Sequence, residues 1–259
     1  MRIEGRIGLG PVMSGWLGRA RADEQVERPA RTLTERLRLT RADVVATVLY
    51  CALPLLIDLP FSADGRPLMT GDDLYQNYPL RVLAGKLIAS GHVPSWNPLI
   101  WSGTPLLAGW NAGALFPGTW LFAFLPPVAA WTVNLVLASA VASVGTYAFL
   151  RRLGCGTLAS FLGGLVFTYT GFMSGQQVHI GLEQGTAMMP WVLLAVEALA
   201  TRRPGERALG WIALLGAASA LTVLAGDPRA VTTTGIVVII YLLAWLFRDP
   251  SGFVRRLLP

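Results

Sequence analysis

Six stretches of the chain, roughly 43–60, 128–150, 157–173, 185–200, 208–225 and 230–247, are almost wholly apolar and are separated by links that hold most of the charge. A helix crosses the hydrocarbon of a bilayer with about 17–25 such residues. The succession therefore predicts an all-α fold, a polytopic transmembrane bundle of about six spans. Composition agrees: 53% of residues are hydrophobic and 14% charged, where soluble domains carry about 25% charged residues. An ordinary soluble enzyme is excluded. The 28 Gly and 17 Pro follow no Gly-X-Y period, which excludes a collagen-like chain. Two cysteines, Cys51 and Cys155, are too few for a disulfide framework or a thiolate zinc site.

The net charge of +6 would suit nucleic acid, but its distribution reads as membrane topology, and no nucleic-acid partner is expected. Residues 1–42 hold nine Arg. They read as a cytoplasmic, mostly disordered basic tail, with Thr32–Arg41 either a short helix on anionic lipid or a solvated linker. No apolar core with a small-residue cleavage site follows the first charges, so no signal peptide is expected. With six spans, the links on the tail's side carry Arg151, Arg152, Arg202, Arg203, Arg207, Arg248, Arg255 and Arg256 as well, so that side holds 17 of the 21 Lys and Arg. The opposite side has Arg66, Arg81, Lys86 and Arg229. Cytoplasmic loops are the ones enriched in Lys and Arg, so both termini are expected in the cytoplasm and residues 43–259 form the membrane domain. Counting Ala112–Leu125 as a span would invert every later loop. That segment, with Pro117 and Gly118, is expected to be re-entrant or interfacial.

The outer face then consists of a long loop, 61–127, and two short ones, 174–184 and 226–229. Asp64, Asp72, Asp73, His92, His179, Glu183 and Asp227 fall there, so any chemistry is expected on that side. The long loop also gathers Trp96, Trp101, Trp110 and Trp120, and amphipathic aromatics favour the membrane interface. It is expected to lie on the bilayer.

Within the loop, Asp72 and Asp73 directly precede Tyr78-Pro79, and Pro suits a first helical turn. Leu80, Leu83, Leu87 and Ile88 then make an apolar stripe at helical spacing, with Arg81, Gly85 and Lys86 facing elsewhere and Gly91 closing the helix. A carboxylate held there is placed to take a proton from an acceptor hydroxyl or to bind a divalent cation. Adjacent aspartates point in different directions, so one base is expected from the pair. The competing reading is that both only solvate the loop or cap a turn. For His179 and Glu183, four residues apart, a metal or proton-relay role competes with interfacial solvation.

The order of motifs across the loop resembles the YfhO-like bacterial multipass membrane proteins, regarded as glycosyltransferases of the C-type (GT-C) membrane fold. The residues are Asp73-Leu74, Gln76, Tyr78-Pro79, Gly91-His92-Val93-Pro94-Ser95-Trp96-Asn97-Pro98, Gly103-Thr104-Pro105 and Phe116-Pro117, followed later by His179, Met189-Pro190-Trp191, Glu197 and Leu224-Ala225-Gly226-Asp227-Pro228. The resemblance implies an inner-membrane enzyme that moves a sugar from a polyprenyl phosphate to an envelope glycan or lipid acceptor. It makes Asp73 the catalytic or metal-binding carboxylate, with Asp72 beside it and Mg2+ or Mn2+ as the candidate ion. Arg81, Lys86, His179 and Arg229 are the outer-face candidates for the lipid phosphate, and Gln76, Trp96 and Asn97 belong to the same motif run as candidate substrate contacts. The family usually has Gly-His-Pro-Gln where this chain has Gly226-Asp227-Pro228-Arg229, and its members are usually longer. The chain is therefore expected to be an N-terminal part, either inactive alone or completed by a partner chain that supplies further helices.

Two other functions are compatible with the pattern. A lipid-linked sugar flippase or transporter tends to carry charges near mid-membrane and internal repeats, and neither stands out here. A non-catalytic assembly factor with a docking Trp-rich loop predicts that Asp72 and Asp73 are dispensable and the aromatics are not.

Overall fold

Thr40 opens the first helix by a reciprocal cap: its N–H and its hydroxyl both donate to Asp43 Oδ2 at 2.7 Å, while the Asp43 N–H donates to Thr40 Oγ1 at 3.2 Å. Such a box satisfies amides that the first turn leaves free. The helix, α1, runs over Arg41–Ala63. In the computed structural model the described residues are 40–63, 69, 71–202 and 206–248. Of the expected basic tail 1–42, residues 1–39 lie outside them, as do Asp64, Arg66, Arg203 and the end of the chain with Arg255 and Arg256, while Thr40, Arg41 and Ala42 open α1.

A π-helical turn, Asp73–Asn77, leads into α2, Tyr78–Ala89, with Pro79 in its first turn and Gly91 just past its end at φ +77°. Both ends match the sequence reading. The stripe does too: Leu80, Leu83 and Leu87 pack on Leu106, Ala112 and Ala114. The face turned away from the stripe is covered as well. Tyr78 and Val82 pack on Phe122, Trp131, Leu135 and Ile180, and Arg81 is fully buried. The helix lies between two layers, so its polar residue is enclosed rather than offered to solvent.

After α2 comes a two-residue antiparallel pairing, β1 (Trp96–Asn97) with β2 (Thr104–Pro105). Short turns at Trp110–Ala112, Pro117–Trp120 and Leu121–Ala123 follow. The segment Ala112–Leu125 is thus irregular, as its Pro and Gly predict.

The rest is mostly helical: α3 (Pro127–Arg152), α4 (Thr157–Tyr169, continued by single turns to Val178), α5 (Ile180–Ala187), α6 (Met189–Ala200), α7 (Leu209–Leu224) and α8 (Pro228–Arg248). Among the described residues three helical segments are long and apolar enough to cross a membrane: Pro127–Arg152, Thr157–Val178 and Pro228–Phe247. The other expected segments are helical as well, within α1, across the break at Met188 between α5 and α6, and in α7.

The most enclosed of the three is α3, which packs on α1, α4, α5 and α6. Its small residues let neighbours approach, as in membrane bundles generally. Gly145 lies under the Trp191 indole, whose Nε1–H donates to Val141 O at 3.0 Å, and the Ser143 and Thr168 hydroxyls meet at 2.8 Å. At the outer flank, α8 turns Ile236, Ile239, Ile240 and Phe247 outward, an apolar face suited to lipid. It is tied inward by one polar knot, in which buried Glu197 of α6 accepts from Tyr241 Oη at 2.7 Å and from Trp245 Nε1 at 3.3 Å. Tyr241→Phe is expected to cost about 1.5–3 kcal/mol, the loss of a hydrogen bond to a charged group, read as a lower unfolding midpoint in detergent micelles.

The links also sort by end. At one end Asp43 receives the Tyr147 hydroxyl and the Arg151 guanidinium, Arg152 donates to Thr201 Oγ1 at 2.9 Å, and its guanidinium sits 5.8 Å over the Trp211 ring. The loops expected on the opposite face meet at the other end.

Candidate functional site

There the segment 71–77, the start of α5 and the turn between α7 and α8 enclose a polar cleft. Asp72, Gln76 and Asn77 line it from the first, His179 from the second, Asp227 and Arg229 from the third. Its ionisable side chains already meet in pairs. Asp72 Oδ2 lies 3.4 Å from His179 Nε2, and Arg229 forms a two-pronged pair with Asp227, Nη2 to Oδ2 at 2.6 Å and Nε to Oδ1 at 3.0 Å.

Asp73 lies beneath. Its Oδ1 accepts from Asn77 Nδ2 at 2.5 Å and from the Ile180 N–H at 3.2 Å. Ile180 is the first residue of α5, and the opening amides of a helix have no partner within it, so the carboxylate caps α5 and binds it to the π-helical turn. The second oxygen, Oδ2, is buried without a hydrogen bond. Burial pushes the carboxyl above the usual carboxylate range, although Asn77, the Ile180 amide, Arg81 and His179 all act to lower it. The cleft and this carboxyl are joined through Asn77, which lines the one and bonds the other.

Arg81 is the deeper half of the same arrangement. Its Nη1 donates to Gln184 Oε1 at 2.9 Å and its Nη2 to Ala225 O at 3.0 Å. Gln184 passes the chain on to Asn134 Oδ1 at 2.6 Å, and Asn134 Nδ2 donates to Gly118 O and Ala130 O. One guanidinium thus fastens α2 to α5 and to the turn before α8. Burial lowers it to about 10, opposed by the charge of Asp73, and it remains cationic at neutral pH.

Of the residues singled out in the sequence, Asp72, Gln76, His179 and Arg229 meet at the cleft and Asp73 sits under it. Arg81 is enclosed and does not line the cleft. Lys86 is exposed on α2 and does not line the cleft. Trp96 and Asn97 belong to the β1 strand, where buried Asn97 accepts the Leu99 N–H at 2.9 Å, a turn-forming role. The two aspartates have different partners: Asp72 faces His179, Asp73 faces Asn77 and Ile180. Among the described residues no three His, Cys, Asp or Glu side chains form a metal-binding group.

Asn111 and Gly181, which were not singled out, and Gly226, quoted only as part of a motif, complete the cleft. Asn134 and Gln184, both buried, carried a legible signal, since amides within apolar runs mark polar interiors. Gly226 carried none. At φ +93° it lies so close to the Trp110 carbonyl that a Cβ would collide with it and would meet the Gly113 backbone at 3.1 Å. Gly226→Ala is expected to cost about 3 kcal/mol from backbone strain and overpacking together. Gly216→Ala in α7, where a Cβ meets nothing within 4 Å, should instead gain about 1 kcal/mol of helix propensity; thermal unfolding of the two variants side by side checks the contrast.

Comparison of the chain with protein-family models, with curated proteins and with solved structures returned no match.

Proposed function

We propose that this chain is a membrane glycosyltransferase, or the N-terminal part of one, with a six-span GT-C-like membrane domain, both termini cytoplasmic and the cleft on the outer face of the inner membrane. The donor is a sugar on a polyprenyl phosphate and the acceptor an envelope glycan or lipid. The observation that carries the reading is Asp73: a buried carboxyl with one oxygen committed to structure and the other free of hydrogen bonds, one residue's reach below a polar cleft, at the end of an apolar helix bundle. Carboxyls with shifted proton affinity in such places are the groups that move protons.

In the proposed step the acceptor hydroxyl gives its proton to Asp73 Oδ2 as its oxygen bonds the anomeric carbon. The bond from that carbon to the phosphate oxygen breaks, and the lipid phosphate leaves with the electron pair. Negative charge grows on the departing phosphate, which Arg229 and protonated His179 would stabilise by opening their present pairs with Asp227 and Asp72. Asp72, exposed at the cleft, is the second carboxylate within reach.

The test is transfer of radiolabelled sugar from a panel of polyprenyl-phosphate sugars to envelope acceptors. It uses membranes holding the chain, its Asp73→Asn variant or its Asp72→Asn variant, with and without Mg2+ or Mn2+. Transfer that needs Asp73 supports the reading. Equal transfer by the chain and both variants removes the aspartates from the mechanism, and no transfer by the folded, inserted chain favours a non-enzymatic role or a missing partner chain.

A further inference from the structure

Between Lys86 and Arg151 the chain has no Asp, Glu, Lys or Arg. Half of that interval, ahead of α3, is irregular chain rather than spanning helix. An irregular segment facing water satisfies its surroundings with charged side chains, and this one offers none.

What it offers is concentrated at the tip of the β1–β2 hairpin. Leu99 is 75% exposed and Trp101 88%, with Ile100 between them also exposed. The tip is held rigidly. Trp101 and Ser102 take φ +49° and +59°, the left-handed region that side chains other than Gly and Asn rarely enter, and Gly103 follows at +110°. Gly103 N–H donates to Ile100 O at 2.8 Å, and the Trp96 indole lies so near Gly103 that a Cβ there would meet it at 2.6 Å. Behind the turn, Asn97 holds the Leu99 N–H and the Leu106 N–H donates to Ser95 O at 2.9 Å. The backbone is bent against its preference and braced from behind, with the outcome that three large apolar side chains point away from the protein.

We infer that Leu99, Ile100 and Trp101 form a fixed wedge that enters the lipid leaflet beside the loop, to the depth of the headgroup and upper acyl region, about 5–10 Å. Lipid is the occupant because the surface is uncharged along its whole length, because Trp favours the interface, and because the segment runs on through exposed Phe124 and Leu125 into a helix apolar enough to span the bilayer. The wedge holds the loop at the surface whatever reaction the cleft performs.

The test uses the full chain with Cys51 and Cys155 replaced by serine, reconstituted into phosphatidylcholine–phosphatidylglycerol vesicles free of other protein. An environment-sensitive fluorophore is attached at Leu99→Cys, at Trp101→Cys or, as a water-facing reference, at Ser90→Cys, an exposed site at the end of α2. Blue-shifted emission at 99 and 101, quenched several-fold more by nitroxide-bearing lipid than by aqueous iodide, is the expected result, with the reverse at 90. Two exposed labelling sites guard against one variant misfolding. Water-like emission and full iodide quenching at both overturn the wedge, and a blue shift that requires native membranes in place of pure lipid assigns the surface to a protein partner and overturns it equally.

Discussion

Arg81→Met is expected to destabilise the membrane domain by about 3–5 kcal/mol, the cost of breaking a buried charged arrangement by removing one member. Two acceptors, Gln184 Oε1 and Ala225 O, lose their donor, and Asp73 loses the cation that most favours its ionised form. Arg81→Lys keeps the charge but not the fork. One ammonium on a flexible stem does not reproduce two donors in a fixed plane, so a loss of about 2 kcal/mol remains, roughly one charge-assisted hydrogen bond. The double variant Arg81→Met with Asp73→Asn should gain more over Arg81→Met than Asp73→Asn gains over the native chain, because it no longer buries a carboxyl without its counter-charge. That non-additivity is the sign of direct coupling. Thermal unfolding of the native chain, Arg81→Met, Asp73→Asn and the double variant in one detergent measures it; strictly additive changes would place the two residues in independent environments.

The same guanidinium shows where the sequence was legible and where it was not. Apolar runs, arginine-bearing links, Pro79 and Gly91 are local signals, and they marked the helices, the ends of α2 and the irregular course of Ala112–Leu125. The sorting of charges placed Asp72, His179 and Arg229 on one side, and the structure brings those three to one cleft. Periodicity along α2 revealed one apolar stripe. It carried no sign that Phe122, Trp131 and Ile180 would cover the other face, because that layer comes from segments far along the chain. Arg81 therefore read as a free cation for a phosphate when it is a buried tie. Asn97 shows a related limit: a motif shows that residues belong together without showing whether they hold a substrate or each other's backbone, and buried Asn97 holds the Leu99 N–H. Gly226 was silent, since a close approach of two loops leaves no trace in either one.

Asp73→Asn separates the two things a buried acid does. In the native protein burial raises the proton affinity of Asp73 above that of a free carboxyl, outweighing Asn77, the Ile180 amide, Arg81 and His179, which all act to lower it. The sign follows by linkage: a group whose folded-state pKa lies above the unfolded one contributes stability that is complete below the unfolded pKa, near 4, and is lost as pH rises through the folded value. At neutral pH the native chain carries that loss. An asparagine does not ionise, and its Oδ1 still accepts from Asn77 and the Ile180 N–H. The variant is expected to be as stable as the native chain at pH 7 or more so, and its stability relative to the native chain should climb as pH is raised from 4. Transfer should move the opposite way and fall about 100-fold or more, the usual contribution of a positioned base. A carboxyl that costs stability and is indispensable to turnover is one held for chemistry. Unfolding midpoints across pH and transfer rates on the same preparations separate the two roles: a variant that loses stability and transfer together would make Asp73 a cap for α5 and nothing more.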